Sequence, residues 1–420
     1  MLRTLSLLTL LVLVVRVDAA PPESQVAPTP RLKPIQIPEP PPRIEPPAKI
    51  VDPPLNLKLT DEFEGRNYRG KTFLELSRYF GSNEETERAT ARSLAWLARQ
   101  QKFDGSWVFD GNSSTDTIAA TGMCLLPYLG TGQTHKKSPK YSKTVERGLT
   151  YLIAKQKADG SFETAGFTMY TQGIATIALC EAYAMTKDRD LLLKPAQKAI
   201  GFIVKSQGEN GSWGYQPGTR GDTSILGWNV QALYAAILSK DIVVPKGTIE
   251  KASAFLDEVS SGEKKSIFGY TMANGSPGTS LSAVGLMTRV EHEGWTGKNA
   301  SLVDGVDGLF KRVPQKAPAK PDMYFYYYAT RAAFYHGGDK WKDWNLGQEQ
   351  NGKRTGGMRD WLVSLQIKKE GPDFGSWEPD GAIIGGSCGR LGTTALSILT
   401  LEVYYRYVPR NHPDIKMPGR

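Results

Sequence analysis

Six aromatic residues recur along the chain at near-equal spacing: Trp96, Tyr151, Phe202, Phe255, Phe310 and Trp361, separated by 55, 51, 53, 55 and 51 residues. Five of them have a glutamine five positions later (Gln101, Gln156, Gln207, Gln315 and Gln366), and the fourth has Ser260 there. Three glutamines are followed by Gly-Ser-aromatic: Gly105-Ser106-Trp107, Gly160-Ser161-Phe162 and Gly211-Ser212-Trp213. A period of this length means one supersecondary unit copied six times. Few chains are so constrained in architecture before any residue is assigned a role.

Each unit holds two helical stretches. The first, as at Glu84 to Gln101, interleaves Glu84, Glu85, Glu87, Arg88, Arg92 and Arg99 with Leu94, Ala95, Leu97 and Ala98. That is an amphipathic helix with one face to water. The second stretch carries no charge: Thr117–Leu129, Thr171–Cys180, Thr223–Leu238, Thr279–Thr288 and Leu391–Thr400 contain no Asp, Glu, Lys or Arg. A helix apolar all round is buried on all sides. Amphipathic helices alternating with buried ones predict an all-α (α/α)6 toroid, a closed barrel of six helical hairpins with inner and outer rings. An open solenoid would leave one side of each unit exposed and need polar caps at its ends.

The repeats occupy residues 84–408. Before them, Leu5 to Val15 is an apolar and hydroxyl run after Arg3, followed by Ala19 and Ala20, and reads as an export signal over residues 1–19. Residues 20–56 form a proline-rich linker, with thirteen prolines between 21 and 54, expected to be extended and to offer an attachment to the cell envelope. Residues 57–83 are a lead-in and 409–420 a tail. The predicted location is therefore the periplasm or envelope. The net charge of +9 is modest for 420 residues, and neither a recognition motif nor the predicted export suits nucleic acid. Three cysteines make no complete disulfide set; Cys124 and Cys180 fall in apolar helical sequence and read as buried thiols.

The glycine four positions after Gln101, Gln156 and Gln207 is placed to end the outer helix, and the aromatic after it to pack back and staple neighbouring repeats. Nine residues after Trp107, Phe162, Trp213 and Tyr270 lie Asp116, Thr171, Asp222 and Thr279, each expected to cap an inner helix. Asp116 and Asp222 thus reach one mouth of the barrel, where a catalytic acid would also stand. Capping and catalysis are both open readings of these two aspartates.

The pattern aromatic-Leu-x-x-x-Gln followed by Gly-Ser-Trp, clearest at Trp96-Leu97 to Trp107, Tyr151-Leu152 to Phe162, Phe202-Ile203 to Trp213 and Trp361-Leu362 to Trp377, resembles the repeats of squalene and oxidosqualene cyclases and of protein prenyltransferase β-subunits. The resemblance covers about residues 84–408 and implies the toroid, but a fold hosts many functions. The Asp-rich acid motif of the cyclases is missing; the nearest string, Asp188-Arg189-Asp190, reads as a solvated loop. None of the four histidines (His135, His292, His336, His412) stands where the prenyltransferases place a zinc ligand, so neither a metal nor another cofactor is expected. Cys388-Gly389-Arg390-Leu391 lacks the glutamine that a thioester domain requires.

Two constellations remain. Met323 to Thr330 carries the run Tyr324-Phe325-Tyr326-Tyr327-Tyr328 at the start of the fifth inner helix, so one or two rings must face the axis. Together with Tyr170 and Trp228 in other inner helices, Tyr324 and Tyr328 are candidate ligand-binding residues. The second is a glycine-rich segment before the last helix, bearing Glu378, Asp380, Cys388 and Arg390, read as an enlarged mouth loop. The preferred reading is an exported, non-catalytic toroid that binds an apolar molecule, a glycan or a peptide. The alternative is a terpenoid-cyclase-like isomerase acting on a polyprenyl or squalene-type substrate, with Asp116 or Asp222 as an unusual acid. If the repeat aromatics are structural, Trp213→Ala is expected to cost about 3–5 kcal/mol in urea unfolding.

Overall fold

The computed structural model describes residues 57–58, 63–67, 70–111, 116–162, 168–313, 321–406 and 415–416. The predicted signal and proline-rich linker lie outside these residues. Two short helices, α1 (Glu64–Asn67) and α2 (Gly70–Tyr79), precede the repeats. The first three hairpins are α3 (Glu84–Gln100) with α4 (Thr117–Gly130), α5 (Ser142–Lys155) with α6 (Thr168–Thr186), and α7 (Lys194–Lys205) with α8 (Thr223–Ser239). The next two are α9 (Lys246–Val259) with α10 (Ser280–Glu293) and α11 (Ala300–Leu309) with α12 (Met323–His336). An added helix, α13 (Gly338–Leu346), leads to the last pair, α14 (Met358–Ser364) and α15 (Ile383–Leu401), and α16 (Val403–Arg406) follows. Inner helices touch in the order α4, α6, α8, α10, α12, α15, and α15 returns to α4 while α14 meets α3. The ring is closed, and the fold is the (α/α)6 toroid.

At four junctions of the ring, what joins one hairpin to the next is a turn glycine and a glutamine amide. Gly105, Gly160, Gly211 and Gly375 have φ of +92°, +93°, +83° and +94°, a region that favours glycine. A Cβ on them would lie 2.4, 2.1, 2.2 and 2.6 Å from the carbonyl oxygens of Arg147, Lys198, Lys251 and Arg92, each on the outer helix of the next hairpin. Backbone therefore rests directly on backbone. The glutamine then bridges both sides of the contact. The Gln101 amide donates to Gly105 O (3.0 Å) and Thr144 O (2.9 Å), and that of Gln207 to Gly211 O (2.8 Å) and Thr248 O (2.9 Å). Gln156 does the same to Gly160 and Pro195. Gln366 bonds Gly375 and Ala89, so the last hairpin is stapled to the first. The tryptophans of Gly-Ser-Trp are buried and donate Nε1–H inward: Trp107 to Leu97 O (2.7 Å), Trp213 to Ile203 O (2.8 Å) and Trp377 to Leu362 O (2.8 Å).

Four expectations need correction. Phe268, not Tyr270, is the stapling aromatic of the fourth hairpin: it is buried and its N–H donates to Ser282 Oγ (3.2 Å), as that of Trp107 does to Thr121 Oγ1 (3.0 Å). The spacing misled because the cap Thr279 stands eleven residues after Phe268, against nine from Trp107 to Asp116. Thr171 is not a cap, since α6 starts three residues earlier. Inner helices also outrun their charge-free cores: α6 includes Glu181, and α10 includes Arg289 and Glu291. Finally, Asp188 is not solvated; it accepts from Leu191 N–H and pairs with His135 (2.9 Å) and Lys136 (2.9 Å), hydrogen bonds that hold its carboxyl at about 2.

The extra charges of the inner helices gather at the end where those helices finish. Arg66, arriving from α1, bonds Glu181 (2.7 Å) and Arg406 O (2.8 Å), and Arg406 also reaches Glu181 (3.1 Å). Arg331 pairs with Glu291 nearby. All five side chains are buried, so each pair must supply the charge compensation that water would. The segment before the first hairpin and the one after the last thus meet on α6. Glu402 and Glu87 stand at the edge of this cluster; both carboxyl oxygens of Glu402 are buried without a hydrogen-bond partner among the described residues, as is Oε1 of Glu87. Burial pushes the Glu87 carboxyl up to about 7. The folded chain holds that proton more tightly than the unfolded chain, so the stability it confers is complete below the ordinary carboxylate value. It is lost as the pH rises through about 7. Glu87→Gln is expected to leave melting unchanged near pH 4.5 and to stabilise by about 1–3 kcal/mol at pH 8, as measured by denaturation at the two pH values.

Candidate functional site at the mouth of the ring

All six inner helices begin at the same end of the toroid, because each follows an outer helix that returns the chain to it. Their unpaired N–H groups converge there. Asp116 Oδ1 accepts from Ile118 N (2.8 Å) and Ala119 N (2.9 Å), and Asp116 Oδ2 accepts from the Thr171 hydroxyl. Asp222, itself buried, accepts from Ser224 N (2.8 Å), Ile225 N (3.1 Å) and Ser224 Oγ (2.6 Å). Thr279 and Asp322 cap α10 and α12 in the same way. The mouth carboxylates are therefore engaged in capping helix starts.

The glycine-rich segment is more ordered than a mouth loop. Residues from Ile383 onward are helical, with one break at Gly389 (φ 65°, ψ −152°), where the chain packs against Asp110 and Gly111 of the first hairpin. Asp380 is buried and bonds N–H groups of two helices, Met323 (2.9 Å) and Gly385 (2.6 Å), as well as Ala382 (3.0 Å). Burial raises its carboxyl, and those three N–H groups pull it partly back. Arg390 pairs with Glu378 (2.8 Å) and donates to Trp377 O (3.3 Å). Cys388 is half-buried, and desolvation pushes its thiol up to about 12, far from a reactive thiolate. The other two cysteines are free and buried.

On the axis, α12 sends three rings inward rather than one or two. Trp228 of α8 stacks on Tyr327 (6.1 Å between centroids, 13° between planes) and meets Tyr324 at 6.3 Å and Tyr328 at 6.0 Å. Since α10 lies between α8 and α12 in the ring, these contacts cross it. Tyr327 O–H bonds Gln231 Oε1 (3.2 Å), and Tyr324 O–H bonds Ser224 O (3.3 Å). Tyr326 points outward against Trp361 (4.7 Å). The four inward rings are buried against one another, so Trp228, Tyr324 and Tyr328 pack the axis.

Above them stands a tyrosine rim of which the sequence identified one member. Tyr170, at the start of α6, is half-buried and lies 6.1 Å from the Tyr215 ring. Tyr215 and Tyr270 come from the loops before α8 and α10, remain 43% and 40% exposed, and their hydroxyls are 3.0 Å apart. Burial, the Tyr215 hydroxyl and the nearby Asp222 carboxylate raise the Tyr270 phenol above its ordinary value. The loops interlock through Met169 N to Tyr215 O (3.3 Å) and Thr223 N to Tyr270 O (3.0 Å), each tying a rim tyrosine to the inner helix of the hairpin before it. Met272, 59% exposed, continues the same loop. Tyr215 and Tyr270 escaped the sequence reading because each follows its stapling aromatic by only two residues and was not separable from it.

The fold and its mouth thus define a closed six-hairpin toroid with an aromatic rim over capped inner helices. No family model matches the chain. A drimenyl diphosphate synthase from Streptomyces showdoensis is 23% identical over 172 residues, 40% of this chain and 30% of that protein. The chain therefore matches less than a third of that relative's length. Among solved structures, an inactive, doubly substituted α-1,6-mannanase from Salegentibacter sp. HEL1_6 in complex with α-1,6-mannotriose is similar, with 10% identity, 76% of this chain and 99% of that one covered, and a TM-score of 0.52. An α-amylase from Clostridium perfringens aligns at 10% identity over 76% and 98% of the two chains, with a TM-score of 0.51. A type II terpene cyclase from Scytonema aligns at 14% identity over 76% and 98%, with a TM-score of 0.49. The likeness to the mannanase and the amylase is one of fold, in keeping with the toroid read from the repeats.

Because Asp222 spends its carboxylate on three donors of α8, Asp222→Asn is expected to cost about 1 kcal/mol or less in chemical denaturation, with the fold retained. A loss of turnover at unchanged melting temperature would instead give Asp222 a chemical role.

Proposed function

We propose that this chain is a non-catalytic binding toroid that takes a glycan on the tyrosine rim at its mouth. The observation that carries the reading is the pair Tyr215 and Tyr270, half-exposed with hydroxyls 3.0 Å apart, beside Tyr170 and above the Asp222 cap. Such a surface offers flat ring faces to the C–H faces of a sugar and, at the ring edges, phenol groups that donate and accept with its hydroxyls. The packed axis supports a ligand at the rim rather than a long apolar one threaded inside. Engagement of Asp116 and Asp222 as caps supports binding over acid catalysis. The two glycosidase toroids named above, one of them bound to mannotriose, show only that this scaffold is compatible with sugars at some sites. The apolar run at Leu5 to Val15 and the prolines after it support export to the envelope, where glycans are available.

The 23% match to a drimenyl diphosphate synthase favours one other reading, a cyclase-like isomerase of polyprenyl substrates. The two separate experimentally. Calorimetric titration of the full chain with α-1,6-mannotriose and maltotriose is expected to give saturable binding to at least one. Tyr215→Ala and Tyr270→Ala should each weaken it at least tenfold with melting unchanged within about 2 °C, since exposed rings contribute little to the core. Cyclisation of a polyprenyl diphosphate that is lost in Asp222→Asn would replace this reading with the enzymatic one.

A further inference from the structure

Two of the inner helices end on a strained residue. Within two residues of their ends, α4, α10 and α12 are followed by glycines with positive φ: Gly132, Gly294 and Gly337, at 73°, 67° and 72°. At that place α6 and α8 have lysines, Lys187 (52°) and Lys240 (64°). A positive φ crowds the Cβ of a lysine against the backbone, a cost that glycine avoids. Lys187 uses its ammonium inside the fold, donating to Ser239 O and to Asp241 (2.8 Å). Lys240 is exposed and has no carboxylate partner among the described residues; the adjacent Asp241 is taken by Lys187 and Arg189. The chain thus accepts strain to hold an ammonium in water.

The loops around it lie side by side at the base. Lys136, after α4, bonds Asp188 (2.9 Å), and Lys187 and Arg189 both bond Asp241 (2.8 Å each). Gln197 of α7 holds the next turn by bonding both backbone groups of Val243 (2.9 and 3.2 Å). Residues 134–140, 187–194 and 240–250 carry eight lysines and arginines against four carboxylates. Asp188 and Asp241 lie beneath their partners, with side chains 8% and 25% exposed against 50–64% for Lys136, Lys187 and Arg189, so the cations face outward. Lys137 and Lys140 are exposed as well. Beside these charges the aliphatic Val243 is 70% exposed, and Ile237, three residues before Lys240, is 42% exposed.

We propose that this face of the base is a docking surface for an anionic phospholipid bilayer. Lysines outside a bilayer are drawn to acidic head groups. Val243 and Ile237 enter the interface below them, where removing aliphatic surface from water is favourable. A dissolved polyanion would satisfy the cations but leave both aliphatic side chains in water, which favours the bilayer. The tyrosine rim is at the end where the inner helices begin, so lipid docking and the sugar binding proposed above use separate surfaces.

The test is flotation of the full chain with vesicles of phosphatidylcholine alone and of equal parts phosphatidylcholine and phosphatidylglycerol, at low and high salt, with soluble polyphosphate as the contrast. The expected result is at least tenfold tighter binding to the mixed vesicles than to the neutral ones, weakening as salt rises. Combining Lys137→Gln with Lys240→Gly should weaken binding to the mixed vesicles at least tenfold, since each lysine near such a surface contributes about fivefold. The melting temperature of that variant should be unchanged or higher, because glycine relieves the positive φ at 240. Val243→Ser should weaken binding to the mixed vesicles about threefold and leave polyphosphate binding as it was. Equal binding to both kinds of vesicle, full binding by the lysine variant, or a Val243→Ser chain that binds mixed vesicles as well as the parent would overturn the proposal.

Discussion

The contact of a turn glycine with the backbone of the next outer helix is the constraint on which the toroid rests. It brings two polypeptide backbones closer than any side chain allows, and it does so at the same place in successive hairpins. Close approach alone would leave carbonyls crowded and short of donors. The glutamine amide resolves this by donating to both sides at once, so that geometry and hydrogen bonding are satisfied by two residues four positions apart. Everything else follows from that spacing. Outer helices are set at fixed intervals, inner helices are drawn into a ring, and a buried aromatic, Trp107, Phe162, Trp213, Phe268 or Trp377, fills the wedge beside the turn.

The two ends of the barrel are solved differently. At the mouth, helix starts are capped by short carboxylates and hydroxyls, and the loops cross-bond from hairpin to hairpin. At the base, helix ends are closed by buried ion pairs in which Arg66 comes from before the first hairpin and Arg406 from the short helix after the last inner helix. Removing one member of such a set leaves a buried charge uncompensated, which costs more than the pair contributes. The base is thus intolerant of change while the mouth, with its exposed tyrosines, is free to vary in what it contacts. That division suits a scaffold that holds one shape and carries its rim on one face.

How much of this the sequence disclosed follows the physics of each feature. Period and charge silence revealed the two rings because both are properties of whole helices, repeated until chance is excluded. The caps at Asp116 and Asp222 were readable because capping needs a particular residue type at a particular place. Thr171 was misread because α6 begins three residues ahead of the spacing found elsewhere. Phe268 was missed because its cap, Thr279, stands eleven residues on rather than nine, and no rule of spacing separates Phe268 from Tyr270. Glu181, Arg66 and Arg406 lie far apart in the chain, and nothing local signals that they will meet. The axis was half-read: the tyrosine run implied inward rings, but only the crossing of α12 toward Trp228 shows that they fill the space rather than line it. The glycine-rich segment looked like a loop because its glycines hide a helix broken once at Gly389.

The two ends of the described chain are brought together by a short strand pair. Residues Leu57–Lys58 pair in parallel with Ile415–Lys416, and a few residues later Arg66 enters the ion cluster where the inner helices end. Chain leaving the toroid in either direction therefore departs close to the same place. The tyrosine rim is at the other extremity of the barrel, one inner helix away. The strand pair thus holds residues 57–58 and 415–416 side by side, while recognition by the rim is left to the end where the inner helices begin.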